Sequence, residues 1–347
     1  MTEAVFAIPG DKDRRTGGFI YEARVLQEMN LIGCVTRHLQ LPGSFPDPTQ
    51  ADMATTLADL NAVPAHQPII LDGLVFGSID VDGLVRIEAP VIAMVHHPLG
   101  LETGLAPKRA AFLLKNEAAA LRHVDHVIVP SDETARVLCR DLEADANKIT
   151  VAAPGFDRPE VSRQPTDPPL VLSVGLLAPR KGHDILLAAL GRLRDLAWQA
   201  KIVGQAHDPD YAARLHHLRD DLGLSRRVQF AGEVGQRTLT SHFNTASAFV
   251  LATRYEGYGM VLSEAMQFGL PVVSCRVGAV PDTVGDAGLL VPPDDPTALA
   301  DAVRSILQDR ATAKELSRRA AERSATLPYW SETAGVFAKV VAQVSAG

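Results

Sequence analysis

Cysteine is scarce in this chain. Cys34, Cys139 and Cys275 are odd in number and far apart in 347 residues, which argues against a disulfide framework or a structural zinc site and for a reducing, cytoplasmic setting. Long apolar runs are missing too: nowhere do about 20 apolar residues follow one another, so no bilayer-spanning helix is expected. The opening Met1-Thr-Glu-Ala-Val-Phe-Ala-Ile-Pro9 lacks the basic start and long apolar centre of a signal peptide and reads as a first strand. Positive charge is in deficit, with 34 Lys and Arg against 41 Asp and Glu. That net charge of −7 gives no electrostatic reason to expect nucleic acid as a partner.

A chain of this length exceeds what one hydrophobic core usually serves, so two domains are expected. Short apolar runs alternate with helical patterns throughout, the signature of α/β folds with parallel sheets. Strands are expected near 4–8, 68–71, 91–95, 126–129 and 149–152, with helices near 20–30, 106–124 and 131–142, the last capped by Ser131. Residues 153–169 are rich in Pro, Gly and polar residues and read as a linker. Strands and helices resume from Leu170 and end in an amphipathic helix around Trp330. The expected boundaries are 1–160, 161–326 and a closing helix within 327–347.

The most informative segment is Arg254-Tyr-Glu-Gly-Tyr-Gly-Met-Val-Leu-Ser-Glu264. Glu256 and Glu264 flank a Gly257-Tyr258-Gly259 turn between an apolar strand, 248–252, and a helix beginning at Met260 and Val261. Backbone N–H groups at a helix start, together with the helix dipole, attract a phosphate. An acid on either side suits the hydroxyl-rich groups at each end of a nucleotide-sugar.

The second half resembles the family 4 retaining glycosyltransferases of GT-B architecture. The resemblance rests on Val174-Gly-Leu-Leu-Ala-Pro-Arg-Lys-Gly-His183, on Glu256-x7-Glu264 with its continuation, on Gly278-Ala-Val-Pro-Asp282 and on Gly288-Leu-Leu-Val-Pro-Pro-Asp-Asp295. Weaker likeness runs through Thr16-Gly-Gly18, Val95-His-His97 and Val127-Ile-Val-Pro-Ser131 of the first half. It implies an α/β fold of two Rossmann-like domains whose parallel sheets face across a cleft, with a C-terminal helix crossing back to the N-domain. It also implies that the first domain binds the acceptor and the second the donor.

By the same resemblance Glu264 meets the ribose, Glu256 the donor sugar, and the backbone of Gly257, Tyr258, Gly259, Met260 and Val261 the sugar and β-phosphate. Lys181 and Arg180 would stabilise charge building on the leaving phosphate. The family often carries an arginine where this chain has Leu176, so either Arg180 supplies a second cation or the pocket uses one fewer. Gly17 and Gly18 resemble a glycine loop that approaches the diphosphate. They do not form the G-x-G-x-x-G dinucleotide fingerprint, so no such cofactor is expected. His96, with His97 as its substitute, ends a strand at the edge where such sheets bind ligands. The backbone around Gly232–Val234 is the expected base contact.

Asp80-Val-Asp82 matches a metal-binding pattern of another glycosyltransferase architecture but sits in a polar turn. His123-Val-Asp-His126 straddles a helix end and a strand, and no metal is expected at either. His216-His217 lies on a polar helix and reads as surface. The helix over 107–122 carries a few basic residues beside an apolar stripe, so membrane association is at most peripheral. The expected partners are a UDP- or GDP-linked sugar and an unidentified hydroxyl acceptor: a saccharide, a lipid-linked glycan or a small molecule. Two other readings keep the fold: an epimerase acting on the nucleotide-sugar, and a donor-binding homologue without turnover.

Overall fold

The computed structural model describes residues 3–206 and 208–346. The chain divides into two compact units, one running to Asp157 and resuming at Pro328, the other spanning Arg158–Leu327.

In the first unit, β1 (Glu3–Pro9), β2 (Val35–Leu41), β3 (Ile69–Asp72), β4 (Val91–Met94), β5 (His126–Val129) and β6 (Ile149–Val151) form one parallel sheet in the order β2-β1-β3-β4-β5-β6. Every residue of β3, β4 and β5 is buried, as parallel strands covered on both faces require. β2 is the edge strand. Its polar positions Arg37 and Gln40, and its solvent-facing Val35, dilute the apolar run, and the sequence reading passes over it.

The helices of this unit are α1 (Gly17–Leu31), α2 (Gln50–Asn61), the single turns α3 (Gly73–Phe76) and α4 (Val81–Leu84), α5 (Pro107–Ala120) and α6 (Asp132–Leu142). α2 also escaped sequence reading, because it buries only Thr56 and Leu60. Ser131 caps α6 as expected, accepting the Thr134 N–H at 3.0 Å. Asp80 caps α4 by accepting the Gly83 N–H, so one acid of the Asp80-x-Asp82 pair is spent on local structure. Asp125 accepts the Val91 N–H and His126 bonds Thr150, which commits the two to different strands.

Gly17 and Gly18 require a correction. They form the first turn of α1, with Thr16 as its extended N-cap, and are not part of a loop before a helix at Ile20. Thr16 makes no side-chain cap, so the first-turn N–H groups of α1 are not satisfied from there.

The C-terminal helix, Trp330–Ser345, belongs to this unit. Its Trp330 and Phe337 rings meet Tyr21 of α1 at 5.9 and 6.0 Å, and Thr333 bonds the Ala153 carbonyl. Gly155 passes so close that an added Cβ would lie 2.3 Å from the Trp330 Cα.

In the second unit, β7 (Leu170–Val174), β8 (Gln199–Val203), β9 (Val228–Gly232), β10 (Ala248–Leu251), β11 (Val272–Cys275) and β12 (Gly288–Val291) are parallel, in the order β12-β11-β10-β7-β8-β9. Around them lie α7 (His183–Leu190), α8 (Pro209–Asp221), α9 (Gln236–Thr245), α10 (Met260–Gln267), α11 (Val280–Val284), α12 (Pro296–Gln308) and α13 (Arg310–Ala325). α7 ends at Leu190 with Gly191 as its C-cap, and the chain turns so that buried Trp198 donates its indole N–H to the Leu193 carbonyl. The Pro-rich segment is no free tether. Ser162, Gln164 and Thr166 bond through their N–H groups to Asn244 and Thr245.

Each sheet reverses its winding once, between β1 and β3 in the first unit and between β7 and β10 in the second. Ligands of doubly wound sheets bind outside the strand ends at that point.

Glu117 on α5 is a further buried acid. One carboxylate oxygen accepts the Leu99 N–H at 3.0 Å, the other has no partner, and burial pushes the group up to about 8 from 4.5. The folded state therefore holds its proton more tightly than the unfolded chain. Stability from this group is complete below about pH 4.5 and is lost as pH rises through about 8, by at most about 1.4 kcal/mol per unit. Glu117→Gln keeps an acceptor for Leu99 and has nothing to ionise. Melting temperatures from pH 5 to 8.5 should fall more steeply for the parent than for the variant. Parallel curves would remove Glu117 as the cause.

Candidate active site

The turn after β7 and the turn after β10 are neighbours at the switch point of the second sheet, because β7 and β10 are adjacent strands. The first carries Arg180 and Lys181 in a 3-10 turn, Pro179–Lys181, closed by Gly182. The second carries Thr253, Arg254, Tyr255 and Glu256. A backbone bond joins them: the Arg254 N–H donates to the Arg180 carbonyl.

Glu256 is the centre of this arrangement and is only 5% exposed. It accepts Lys181 Nζ at 2.6 Å and the Thr253 hydroxyl at 2.9 Å, and the Arg180 guanidinium stands 3.6 Å from its other oxygen. Burial pushes the carboxyl up, but Lys181 and Arg180 outweigh it and hold the group below its ordinary value. Glu256 is therefore an ionised acceptor. One carboxylate and two cations leave a local excess of one positive charge.

Two further groups fix this geometry. Arg254 forks onto Asp184 at 2.8 and 3.1 Å, bonds Asp294 at 2.8 Å and donates to the Pro179 carbonyl, which clamps the cationic turn to the acidic one. Behind Glu256, Ala279 donates its N–H to the Glu256 carbonyl at 2.9 Å and Thr283 bonds the Tyr258 carbonyl. Gly278 is needed there, since its φ is +47° and an added Cβ would meet the Glu256 carbonyl at 2.3 Å. The motif around Gly278 thus backs the acid.

Gly257 and Tyr258 lead to Gly259, which holds a left-handed φ of +87° as N-cap of α10, so Met260 and Val261 open the helix. Glu264 lies one turn on, half-buried, with no hydrogen bond or ion pair to any described residue. Burial pushes its carboxyl up. Leu176, at the position of the family arginine, is half-buried, and the carbonyls of Gly175 and Leu176 face buried His183. Val234 follows β9 near Gly204, whose N–H bonds the Gly232 carbonyl.

In the first unit His96 and His97 part company. His96 Nε2 meets Glu22 Oε1 at 3.2 Å, its ring stands edge-on to Tyr21, and Gly18 lies against it with an implied Cβ 3.4 Å from the imidazole. His97 pairs with Glu102 at 3.3 Å. Gly17 has open space around it.

Sequence reading missed Thr253, the Arg254 clamp and the acids Glu22 and Asp72 near His96. The available signal for Glu22 was an acid on the apolar face of a predicted helix. For Thr253 it was its place between the strand and the motif, and for Arg254 its place as the motif's first residue.

Two family models match the chain: "Glycosyl transferases group 1" over residues 157–323 and "Glycosyltransferase Family 4" over residues 69–159. Among curated relatives, the D-inositol 3-phosphate glycosyltransferase of Streptomyces avermitilis is 31% identical over 262 residues, 69% of this chain and 56% of the relative. That of Mycolicibacterium paratuberculosis is 33% identical over 62% of this chain and 52% of the relative. The chain thus spans little more than half the length of these relatives. Among solved structures, sucrose-phosphate synthase from Thermosynechococcus elongatus superposes with a TM-score of 0.86 at 23% identity over 100% of both chains. Anabaena Alr3699/HepE in complex with UDP-glucose gives 0.79 at 18% identity over 99% of this chain and 100% of that one. With two doubly wound parallel sheets and the Glu256–Glu264 turn at one switch point, the chain belongs to the family 4 glycosyltransferases of GT-B architecture.

Proposed function

We propose that this chain transfers a hexose from a UDP- or GDP-linked donor to a hydroxyl acceptor, with retention of configuration and without a metal ion. The observation that carries the proposal is the ionised Glu256 held by Lys181 and Arg180 beside a helix start, with unengaged Glu264 one turn on. Donor phosphates sit against the start of α10 and the two cations. Glu256 takes sugar hydroxyls and Glu264 takes the ribose. Arg180 supplies the cation absent at Leu176. As the glycosidic bond breaks, Lys181 and Arg180 stabilise the leaving phosphate, whose own oxygen accepts the acceptor's proton. A relative named for D-inositol 3-phosphate makes a phosphorylated polyol the first acceptor to try.

The test incubates the chain with UDP- and GDP-hexoses, alone and with inositol phosphates, and follows nucleoside diphosphate release. Release from one donor, accelerated by an acceptor, is the expected outcome. An epimerised donor, or tight binding without any product, would overturn the proposal.

A further inference from the structure

Three ionisable groups meet at the C-terminal edge of the first sheet, beside its switch point. Glu22 lies on the buried side of α1, Asp72 ends β3 and His96 follows β4; one ligand atom from each lies within 4.8 Å of the others. Glu22 is 1% exposed and Asp72 3%. Asp72 accepts the Leu74 N–H at 2.8 Å, and Glu22 Oε1 faces His96 Nε2. Glu22 Oε2 is buried and receives no N–H or hydroxyl donor. Among the described residues, no lysine or arginine pairs with either acid. Two buried carboxylates in contact without a cation do not both ionise, because each opposes the other's charge and neither is solvated. A proton shared between them leaves one negative charge.

That charge has one use within reach, the Nε2–H of His96. The ring lies edge-on to Tyr21 at 5.5 Å and against Gly18, and the Thr134 hydroxyl reaches the His96 backbone carbonyl at 3.5 Å. Nδ1 bonds no described residue, and the side chain is 24% exposed. We propose that Glu22 and Asp72 hold one proton between them and act as positioning residues for His96, fixing its Nε2–H tautomer and presenting Nδ1 as an acceptor to a hydroxyl of a bound sugar or polyol. Burial pushes both carboxyls up, with the charge of Glu22 adding to the push on Asp72, and burial pushes His96 down, so the imidazole is neutral near pH 7. The hydroxyl ligand rests on the transfer reading above; the tautomer does not.

The experiment uses the full chain with ring-15N histidine. His96 should show a protonated Nε2 and an unprotonated Nδ1 while the acid pair holds its one proton, with a step in its shifts at higher pH as that proton is lost. Asp72→Asn puts a permanent N–H where the shared proton was, so the tautomer should persist and the step should vanish. Glu22→Met removes the acceptor and should let both tautomers appear. With a donor that is turned over, Glu22→Met should lower kcat/KM by about 10- to 100-fold, the loss for one misdirected hydrogen bond. An Nδ1–H tautomer in the parent, or unchanged His96 shifts in Glu22→Met, would overturn the proposal. So would stoichiometric binding of Zn2+ or Mn2+ that displaces the shared proton and is lost in Glu22→Met. If no donor is turned over, the transfer reading fails while the tautomer result still decides this one.

Discussion

Lys181→Ala is expected to slow nucleoside diphosphate release by about 100- to 1,000-fold, the usual loss when one fixed donor to a developing oxyanion is removed. It is also expected to destabilise the second unit. Lys181 Nζ lies 2.6 Å from Glu256, and neither side chain is more than 13% exposed. Removing one member of such a buried pair usually costs about 3–5 kcal/mol, because the remaining charge has lost both its partner and water. Here the cost should fall at the low end, since Arg180 and Thr253 still face Glu256. The double variant Lys181→Ala/Glu256→Gln separates the two effects. It removes the stranded charge and should recover much of the stability while recovering none of the release. Arg180→Ala should slow release as well, but with a smaller loss of stability, because Arg180 stands farther from the carboxylate, at 3.6 Å. Release by Lys181→Ala within a few-fold of the parent would take the cation turn out of the donor site.

The cluster proposed as the donor site was legible in the sequence because its parts are local. Arg180 and Lys181 adjoin one strand end, Glu256 and Glu264 another, and adjacency of β7 and β10 does the rest. Buried strands such as β3, β4 and β5 were legible for a similar reason: burial on both faces demands an unbroken apolar run. β2 and α2 were not, since each buries too little to impose a period. Glu22 and Asp72 illustrate a deeper limit. They lie 50 residues apart on a helix and a strand end, and only the sheet order β1-β3-β4 brings them to His96. Neither has a spacing that announces the other. Gly17 and Gly18 show the converse error. Two glycines looked like a loop, yet they begin a helix, and only Gly18 is constrained by a neighbour, the His96 ring.

Gly182→Ala should cost the fold and the activity together. Gly182 has a φ of +63°, where a side chain is strained, and an added Cβ would lie 1.9 Å from the Ala252 carbonyl oxygen. The nearest obstacle is backbone, so no side-chain rotation relieves it. Either the end of β10 moves away or the start of α7 unwinds. Both movements act on the same geometry, because Gly182 follows Lys181 directly and Ala252 precedes Thr253. Relief of the clash therefore pulls Lys181 away from Glu256. A loss of more than about 2 kcal/mol in unfolding free energy is expected, with release reduced about 100-fold or more in the protein that remains folded. Gly335→Ala supplies the opposite sign. That glycine sits inside the C-terminal helix with open space around it, and alanine there should stabilise by up to about 1 kcal/mol. Denaturant unfolding of both variants, beside release assays, decides the matter. A Gly182→Ala protein as stable and active as the parent would mean that the two turns do not meet as closely as the Arg254 clamp and the Lys181–Glu256 pair require.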